Sequence, residues 1–225
     1  MLHTILFDLD GTLIDSIELI QRSKSHAFES RGLPAPSDAE WLPGIGTPLR
    51  AMFTRYAADD ADVDAFIGAY REYQLANHDR LVRAYDGAAA TLAALRERGH
   101  AIGIVTSKSV ELSERGLAYV GLLPFVQTIV GADSTARHKP HPEPVHVALD
   151  RLGGRADRAL FIGDSVHDMH AGNAAGVGTV AALWGPFSRA ELATASPRFY
   201  LDRLADLPAL VAGLGAPETR PDAPA

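Results

Sequence analysis

The stretch that most constrains the fold is Thr4–Leu13, a short apolar run that ends in two carboxylates and a Gly-Thr pair. Such a run, followed by turn residues, is typical of a buried parallel strand. Ligands of open α/β sheets lie beyond the carboxyl ends of the strands, so Asp8 and Asp10 are expected at the mouth of a site. Residues two apart in an extended segment point the same way, so both carboxylates would lie on one side of the chain and could act together. Taken alone, the stretch fits a simple acidic turn equally well.

The bulk properties favour a globular protein that acts on small molecules. The chain has 225 residues, of which 47% are hydrophobic and 22% charged, which suits one domain that carries an insertion. It contains no cysteine, which excludes disulfides and thiolate metal sites. A net charge of -7 argues against a nucleic-acid partner. No apolar run has the length of a membrane span and no signal pattern is present, so we expect a cytoplasmic protein without a membrane partner.

The second half of the chain alternates between strand and helix patterns. Short apolar runs bounded by turn residues predict four further strands, at 101–106, 128–130, 159–162 and 179–183. This alternation predicts an α/β fold whose mostly parallel sheet is covered by helices on both faces.

Residues 15–82 carry only helical signals. Ser37 and Glu40 have the spacing of a capping box, and Thr47-Pro48 resembles an N-cap followed by proline at the first helical position. The apolar residues that recur at helical spacing near the end of this segment are interpreted as core packing; they are Val63, Phe66, Ile67, Tyr70 and Tyr73. We therefore predict an all-helical cap over 15–82, inserted into a core of 1–14 and 83–215. The Pro- and Ala-rich tail, 216–225, is predicted to be disordered.

Polar side chains cluster where the predicted strands end. The first strand supplies Asp8 and Asp10, and the other strands and loops supply the remaining candidates, which are Thr106, Ser107, Lys139, Asp164 and Asp168. Carboxylates suit Mg²⁺, which prefers oxygen ligands. A carboxylate can also act as the nucleophile in phosphoryl transfer, whose charged transition state needs positioning and neutralisation. The set therefore indicates Mg²⁺-dependent phosphoryl transfer.

Four motifs together resemble those of the haloacid dehalogenase-like (HAD) hydrolase superfamily. They are Asp8-Leu-Asp10-Gly-Thr12, the strand ending in Thr106-Ser107, Lys139-Pro140, and Gly163-Asp164-Ser165-Val-His-Asp168, in that order. The resemblance covers residues 1 to about 185 and implies a Rossmann-like core with a mobile cap. The helical insertion resembles the cap of the phosphoglycolate phosphatase branch.

The resemblance also implies roles for the aspartate pair. Asp8 would attack phosphorus and give an oxygen to Mg²⁺. Asp10 would protonate the leaving group and then deprotonate the attacking water, while its backbone carbonyl binds the metal. The founding dehalogenases lack an acid at this position, so Asp10 favours a phosphatase, because phosphoryl transfer needs a proton donor.

The other motif residues would bind phosphate and metal. The resemblance implies that Thr106 or Ser107 hydrogen-bonds the transferring phosphoryl group, and that Lys139 neutralises it and holds Asp8. Asp164 would bind Mg²⁺. Asp168 would be a further ligand, or would interact with the metal ligands without contacting the metal itself.

The substrate is expected to be a small phosphorylated metabolite, and the reaction is expected to resemble that of phosphoglycolate phosphatases. An inorganic pyrophosphatase with the same cap type is the first alternative, and a sugar phosphomutase is the second. A catalytically silent binding module remains possible on this fold, although four intact motifs argue against it.

The cap is expected to select the substrate, because the core motifs hold only the phosphoryl group and the metal. We identify the turn at Gly44, together with Arg50 shortly after it, as candidate specificity residues, with an ordinary exposed arginine as the alternative.

Four further residues are interpreted as having no role in the chemistry. His167 and His170 are expected on a helix surface beside the site, since no third metal ligand accompanies them. Lys24 and Lys108 are expected to be solvated.

Overall fold

The computed structural model describes residues 3–214 and contains a six-stranded parallel sheet with a helical cap. In chain order, the strands are β1 (Thr4–Phe7), β2 (Ile14–Asp15), β3 (Arg83–Ala84), β4 (Ala101–Val105), β5 (Thr128–Val130), β6 (Ala159–Gly163), β7 (Gly178–Ala182) and β8 (Phe199–Leu201). The helices are α1 (Ile17–Glu29), α2 (Asp38–Trp41), α3 (Leu49–Phe53), α4 (Asp60–Leu81), α5 (Ala88–Glu97), α6 (Val110–Tyr119), α7 (Glu143–Leu152), α8 (Val166–Ala174), α9 (Arg189–Ala193) and α10 (Leu207–Leu214).

The first strand lies inside the sheet, whose order is β5-β4-β1-β6-β7-β8 with every neighbouring pair parallel. Its residues Ile5, Leu6 and Phe7 are fully buried. Ile5 and Phe7 pack into the hydrophobic cluster on one face of the sheet and Leu6 into the cluster on the other. This burial on both faces explains the continuous apolar run and confirms the predicted fold class.

Strand β8 was not predicted from the sequence. It has three residues, all half-buried, and it pairs only with β7 at the edge of the sheet. A strand of this length has neither a buried run nor an alternating pattern for the sequence to show. The strands predicted at 101–106, 128–130, 159–162 and 179–183 correspond to β4, β5, β6 and β7, with ends that differ by at most one residue.

Helices α1 to α4 form the cap and have a hydrophobic core of their own. Its centre is aromatic, with ring centroids 4.9 Å apart for Phe28 and Phe66 and 5.3 Å apart for Trp41 and Phe53. The predicted capping box of Ser37 and Glu40 is present at the start of α2. These packed rings let the cap hold its shape as a unit.

The start of α3 differs by one residue from the prediction. Pro48 is the N-cap and the helix begins at Leu49. The Thr47 hydroxyl instead donates a hydrogen bond of 2.7 Å to the carbonyl of Gly44, which closes the preceding turn.

The two connections between cap and core pair with each other. Strands β2 and β3 are antiparallel, with Ile14 opposite Ala84 and Asp15 opposite Arg83. Asp15, predicted to belong to an all-helical segment, therefore lies in a strand, because a two-residue ladder leaves no periodic signal. The predicted disordered tail, 216–225, lies outside the described residues.

Within residues 3–214, every helix is too short or too polar to cross a membrane.

Candidate active site

Three neighbouring strands bring the predicted site residues to one edge of the sheet. Asp8 follows β1, which lies between β4, followed by Thr106, and β6, followed by Asp164. The ladder continues past the strands, since the Asp8 amide donates to the Ile162 carbonyl at 2.8 Å and the Thr106 amide to the Val130 carbonyl at 2.9 Å. These backbone hydrogen bonds hold the side chains on rigid supports, as a preorganised site requires.

Lys139 lies in the interior of the site and joins two carboxylates. Its side chain is 1% exposed, and Nζ donates to Oδ1 of Asp8 at 2.8 Å and to Oδ1 of Asp168 at 2.6 Å. A third hydrogen bond of 3.3 Å goes to the carbonyl of Val105. Burial alone would lower the pKa of Lys139, but Asp168 and Asp8 outweigh it and raise the pKa above its usual value. The lysine is therefore a fixed positive charge.

Asp164 and Asp168 differ in how their oxygens are used. Oδ1 of Asp164 accepts a hydrogen bond of 2.7 Å from the Thr12 hydroxyl, whereas its buried Oδ2 has no partner among the described residues. Both oxygens of Asp168 are occupied, one by Lys139 and the other by the amide and hydroxyl of Ser165 at 3.0 and 2.6 Å. Asp164 thus has a free ligand atom, while Asp168 anchors Lys139 and the start of α8.

Negative charge exceeds positive charge in this buried cluster. Ligand oxygens of Asp8, Asp164 and Asp168 lie within 4.8 Å of one another, with Lys139 between them. Burial raises the pKa of the Asp8 carboxyl to about 7, with Asp168 adding to the effect and Lys139 opposing it. Burial, Asp8 and Asp168 together raise the pKa of Asp164 well above its usual value. A divalent cation would offset this repulsion and would satisfy the free oxygen of Asp164, so the residues fit a metal ion with oxygen ligands.

Gly11 is required for this arrangement. Its φ of +84° lies in the left-handed region, and a Cβ atom there would stand 2.4 Å from Oδ2 of Asp164. Any side chain at position 11 would therefore occupy the space in front of the free carboxylate oxygen.

Asp10 is held by two donors, and one of them corrects a prediction. The Ser16 hydroxyl and Nζ of Lys108 both donate to Oδ1 of Asp10, at 2.6 and 2.7 Å. The side chain of Lys108 is only 11% exposed, so the expectation of a solvated lysine was wrong. The sequence carried a signal for this role, because Lys108 directly follows the strand-end pair 106–107.

The two hydroxyl candidates have different partners. The Thr106 hydroxyl accepts a hydrogen bond of 3.2 Å from the Lys108 amide and lines the same cavity as Asp8. The Ser107 hydroxyl donates at 2.5 Å to the carbonyl of Gly46 in the cap. Both residues line the cavity together with Asp8 and Asp10, and Ser107 in addition joins the core to the cap.

A second contact between cap and core involves His167. Its Nε2 lies 3.1 Å from the carbonyl of Pro43, and the residue is half-buried. His167 was expected on a helix surface beside the site. It lies on α8 and also contacts the cap. His170 is exposed, in line with the prediction. The cap turn can approach this closely because Gly46 has no side chain. With its φ of +96°, a Cβ there would lie 2.9 Å from the Ser165 hydroxyl oxygen.

The cap and the core enclose a cavity of about 460 Å³. The core contributes its floor, which consists mainly of Asp8, Asp10, Thr106, Ser107 and Lys108. The cap contributes a wall that is largely apolar and includes Ile20, Ile45, Met52, Ile67, Tyr70 and Gln74. A bound molecule would thus contact the strand-end carboxylates and the cap at the same time.

The candidate specificity residues occupy different places. Arg50 lines the cavity, and its half-exposed guanidinium forms ion pairs with Asp64 and, at 3.5 Å, with Asp60. Gly44 is not among the residues that line the cavity. Its carbonyl accepts the hydrogen bond from the Thr47 hydroxyl, which closes the turn.

The position of Lys24 also differs from the prediction. It is buried within the cap, where Nζ donates to Asp38 at 2.7 Å and to the carbonyl of Pro36 at 2.9 Å. The expectation of a solvated side chain was wrong, because Pro36 in the loop after α1 and Asp38 at the start of α2 supply these partners.

Comparisons with known proteins agree with this geometry. Residues 5–182 match the model of the haloacid dehalogenase-like hydrolase family. The chain is similar to pyrophosphatase PpaX of Bacillus pumilus (39% identity, covering 93% of this chain and 96% of the relative) and of Bacillus cereus (37%, 92% and 94%). A solved structure of a predicted phosphoglycolate phosphatase from Haemophilus somnus 129pt superposes with a TM-score of 0.85 at 26% identity, covering 93% of this chain and 97% of the other.

The family match covers well over half of the chain, and the two pyrophosphatases are similar over nearly its whole length. Sequence, fold and relatives therefore agree: the chain belongs to the haloacid dehalogenase-like hydrolase family and is a hydrolase of the phosphatase type.

Proposed function

We propose that the chain hydrolyses a small phosphorylated metabolite in a Mg²⁺-dependent reaction through an aspartyl-phosphate on Asp8. The observation that carries the proposal is the free, buried Oδ2 of Asp164 beside Asp8, with Lys139 holding the nucleophile. Asp8, Asp164 and the backbone carbonyl of Asp10 would hold the ion, which supplies positive charge for the phosphoryl oxygens. The domain division stays a prediction, with the core at 1–14 and 83–215 and the cap at 15–82, as does the cytoplasmic location.

The chain's own residues account for both halves of the reaction. An Asp8 oxygen attacks phosphorus, and Asp10 gives a proton to the departing oxygen of the leaving group. Asp10 then takes a proton from a water molecule as that water attacks the aspartyl-phosphate, which releases phosphate and restores Asp8. The hydrogen bonds from Ser16 and Lys108 hold Asp10 in place for both proton transfers. Lys139 and the Thr106 hydroxyl offset charge on the transferring group.

Two substrates deserve testing first. Inorganic pyrophosphate is favoured by the relatives with 37% and 39% identity, which are pyrophosphatases. A small organic monoester such as 2-phosphoglycolate is favoured by the apolar cap wall, which pyrophosphate would leave without a partner, and by the phosphoglycolate phosphatase neighbour.

The test is phosphate release from pyrophosphate, 2-phosphoglycolate and phenyl phosphate by the metal-stripped protein, with and without added Mg²⁺. We expect turnover only with the metal, and none from Asp8→Asn, whose fold is checked by its melting curve. Isomerisation of a sugar phosphate without phosphate release would indicate a mutase. Full activity of folded Asp8→Asn, or of the metal-stripped protein, would contradict the mechanism.

A further inference from the structure

Two polar side chains of the cap lie buried against the cavity without a role in the chemistry above. Tyr70 and Gln74 are four residues apart on α4, and both line the cavity. Tyr70 is 5% exposed and Gln74 is 7% exposed. Tyr70 was predicted to pack in the core, and its ring does pack in the hydrophobic cluster of the cap, where it contacts Phe53. Gln74 was not identified from the sequence.

No hydrogen bond joins the Tyr70 hydroxyl or the Gln74 amide to another group among residues 3–214. Neither is one of the fully enclosed polar atoms that lack a partner, so both polar ends open onto the cavity. Several buried hydroxyls of the chain, those of Ser23, Thr91 and Ser113, donate to backbone carbonyls. Polar groups that open onto a cavity can bond water in the free protein and a ligand in the complex. The two side chains are therefore suited to a partner that the described chain does not supply.

The position of the pair indicates what that partner is. The cavity floor beneath the cap contains Asp10, the proposed proton donor to the leaving group, so the leaving group must lie between Asp10 and the cap wall. Burial, and to a smaller extent the nearby Asp10 charge, raise the pKa of the Tyr70 hydroxyl, and both residues line the cavity. Of the lysine and arginine side chains that line the cavity, Lys108 pairs with Asp10, Arg50 pairs with Asp64, and Arg71 is exposed.

We propose that Tyr70 and Gln74 form a leaving-group subsite that donates hydrogen bonds to acceptor oxygens of the substrate beyond its transferring phosphoryl group. The proposal rests on the function proposed above and specifies how the cap recognises the substrate. The acceptor oxygens belong either to the second phosphoryl group of pyrophosphate or to the carboxylate of a small organic monoester. A phenyl ester has no such oxygens, because its leaving group carries only the bridging oxygen.

Kinetics of Gln74→Leu and Tyr70→Phe test the subsite, with Gln21→Leu and Tyr73→Phe as matched controls. Gln21 and Tyr73 are half-buried cap residues that do not line the cavity. For Gln74→Leu, kcat/KM for pyrophosphate or for 2-phosphoglycolate should fall at least about tenfold more than kcat/KM for phenyl phosphate, as expected for a lost hydrogen bond to a charged acceptor. Tyr70→Phe should give the same pattern, and the control variants should change all three substrates equally. The substrate with the larger selective loss identifies the source of the acceptor oxygens.

Melting and binding measurements separate this role from a structural one. The Tm of ligand-free Gln74→Leu should stay close to that of wild type, because the Gln74 amide makes no hydrogen bond among residues 3–214 whose loss would destabilise the fold. The second measurement is the Kd of the substrate with the larger selective loss, determined by calorimetry on the Asp8→Asn protein, which does not turn it over. This Kd should rise about tenfold or more when Gln74→Leu is added to Asp8→Asn.

Equal losses for all three substrates, a lowered Tm, or an unchanged Kd would each overturn the subsite. A wild-type protein that binds the ligand through Gln74 but releases no phosphate from any ester would instead contradict the proposed function alone.

Discussion

At the scale of single residues, the site combines charges that repel one another in the absence of a metal. Of the buried carboxylates, Asp8 and Asp168 share Lys139, whereas the side chain of Asp164 has, within residues 3–214, only the Thr12 hydroxyl as a hydrogen-bond partner. A buried cluster of like charges destabilises a fold, and functional sites often retain such destabilising groups. Asp164 is therefore the carboxylate whose charge the metal-free protein tolerates least.

We predict that Asp164→Asn raises the Tm of the metal-free protein and abolishes the Tm gain on adding Mg²⁺. The amide keeps the shape of the side chain but removes one buried negative charge. A ligand at 100 times its Kd stabilises the native state by about 2.7 kcal/mol, so the wild-type shift is large enough for calorimetry.

Asn173→Asp is a suitable control for Asp164→Asn, because Asn173 bonds Ala195 at the far end of α8, away from the carboxylates. An undiminished Mg²⁺-dependent Tm gain in Asp164→Asn would show that the ion binds elsewhere.

The three lysines should give three different phenotypes. Lys139→Ala removes the charge that holds Asp8, and it should lower kcat about 100-fold or more, as is typical for lost transition-state charge contacts. Lys108→Ala should lower kcat less, because Ser16 still holds Asp10. Lys24→Ala should leave kcat unchanged and lower Tm, because its partners lie within the cap. Steady-state kinetics and melting curves of the three variants check this order, and equal kcat values for all three would contradict it.

The strand-end residues were predictable because a short apolar run places the following polar residue at a known edge. Asp8, Thr106 and Asp164 were all found in this way. The hydrogen bond from Ser107 to Gly46 was not predictable, because it depends on how the cap sits over the core. The pairing of Lys108 with Asp10 was also missed: the position of Lys108 after residues 106–107 indicated the site, but its partner lies 98 positions away and is brought to it only by the fold.

At the scale of elements, the turn Pro43–Thr47 is the part of the cap that contacts the core beside the site. Its carbonyls accept from Ser107 and approach His167, and Gly46 packs against Ser165. The contact depends on a glycine with a φ of +96°, which an alanine would adopt only with strain.

We predict that Gly46→Ala raises KM and lowers kcat together, with little loss of Tm. The added methyl group would push the turn away from Ser165 and hinder closure of the cap over the substrate, whereas the hydrophobic cores of cap and sheet stay intact. Gly32→Ala is a matched control, because Gly32 also has a positive φ but a Cβ there would meet nothing within 4 Å. If both variants have the same kinetics, the effect is backbone strain and not cap contact.

Elements were predictable in proportion to their length and burial. Strands β4 and β6 have five residues each and are almost fully buried, which gave clear apolar runs. Strands β2, β3 and β8 have two or three residues and form through tertiary pairing alone. The stripe on α4 was interpreted only in part, because a helical period cannot distinguish residues that face the core from those that face a cavity.

At the scale of the whole molecule, the cap supplies charge to a cavity whose floor is acidic. Arg50 reaches the cavity wall from the cap, but in the structure its guanidinium is paired with Asp64 and Asp60. Exposed ion pairs of this kind contribute about 0–1 kcal/mol, so a substrate anion can compete for the guanidinium. The acidic neighbours therefore set how readily Arg50 is released to a ligand.

We predict opposite effects from the two halves of this pair. Arg50→Ala should raise KM for pyrophosphate or 2-phosphoglycolate about tenfold, because a charge-assisted, bidentate contact to the second anionic group is lost. Asp64→Asn should lower KM for the same substrate, because it releases the guanidinium to the substrate. Phenyl phosphate, which has no second anionic group, should change little in both variants. If the pair only stabilises the cap, both substitutions will lower Tm and shift KM in the same direction for every ester, and the discriminating contact will belong to other cavity residues.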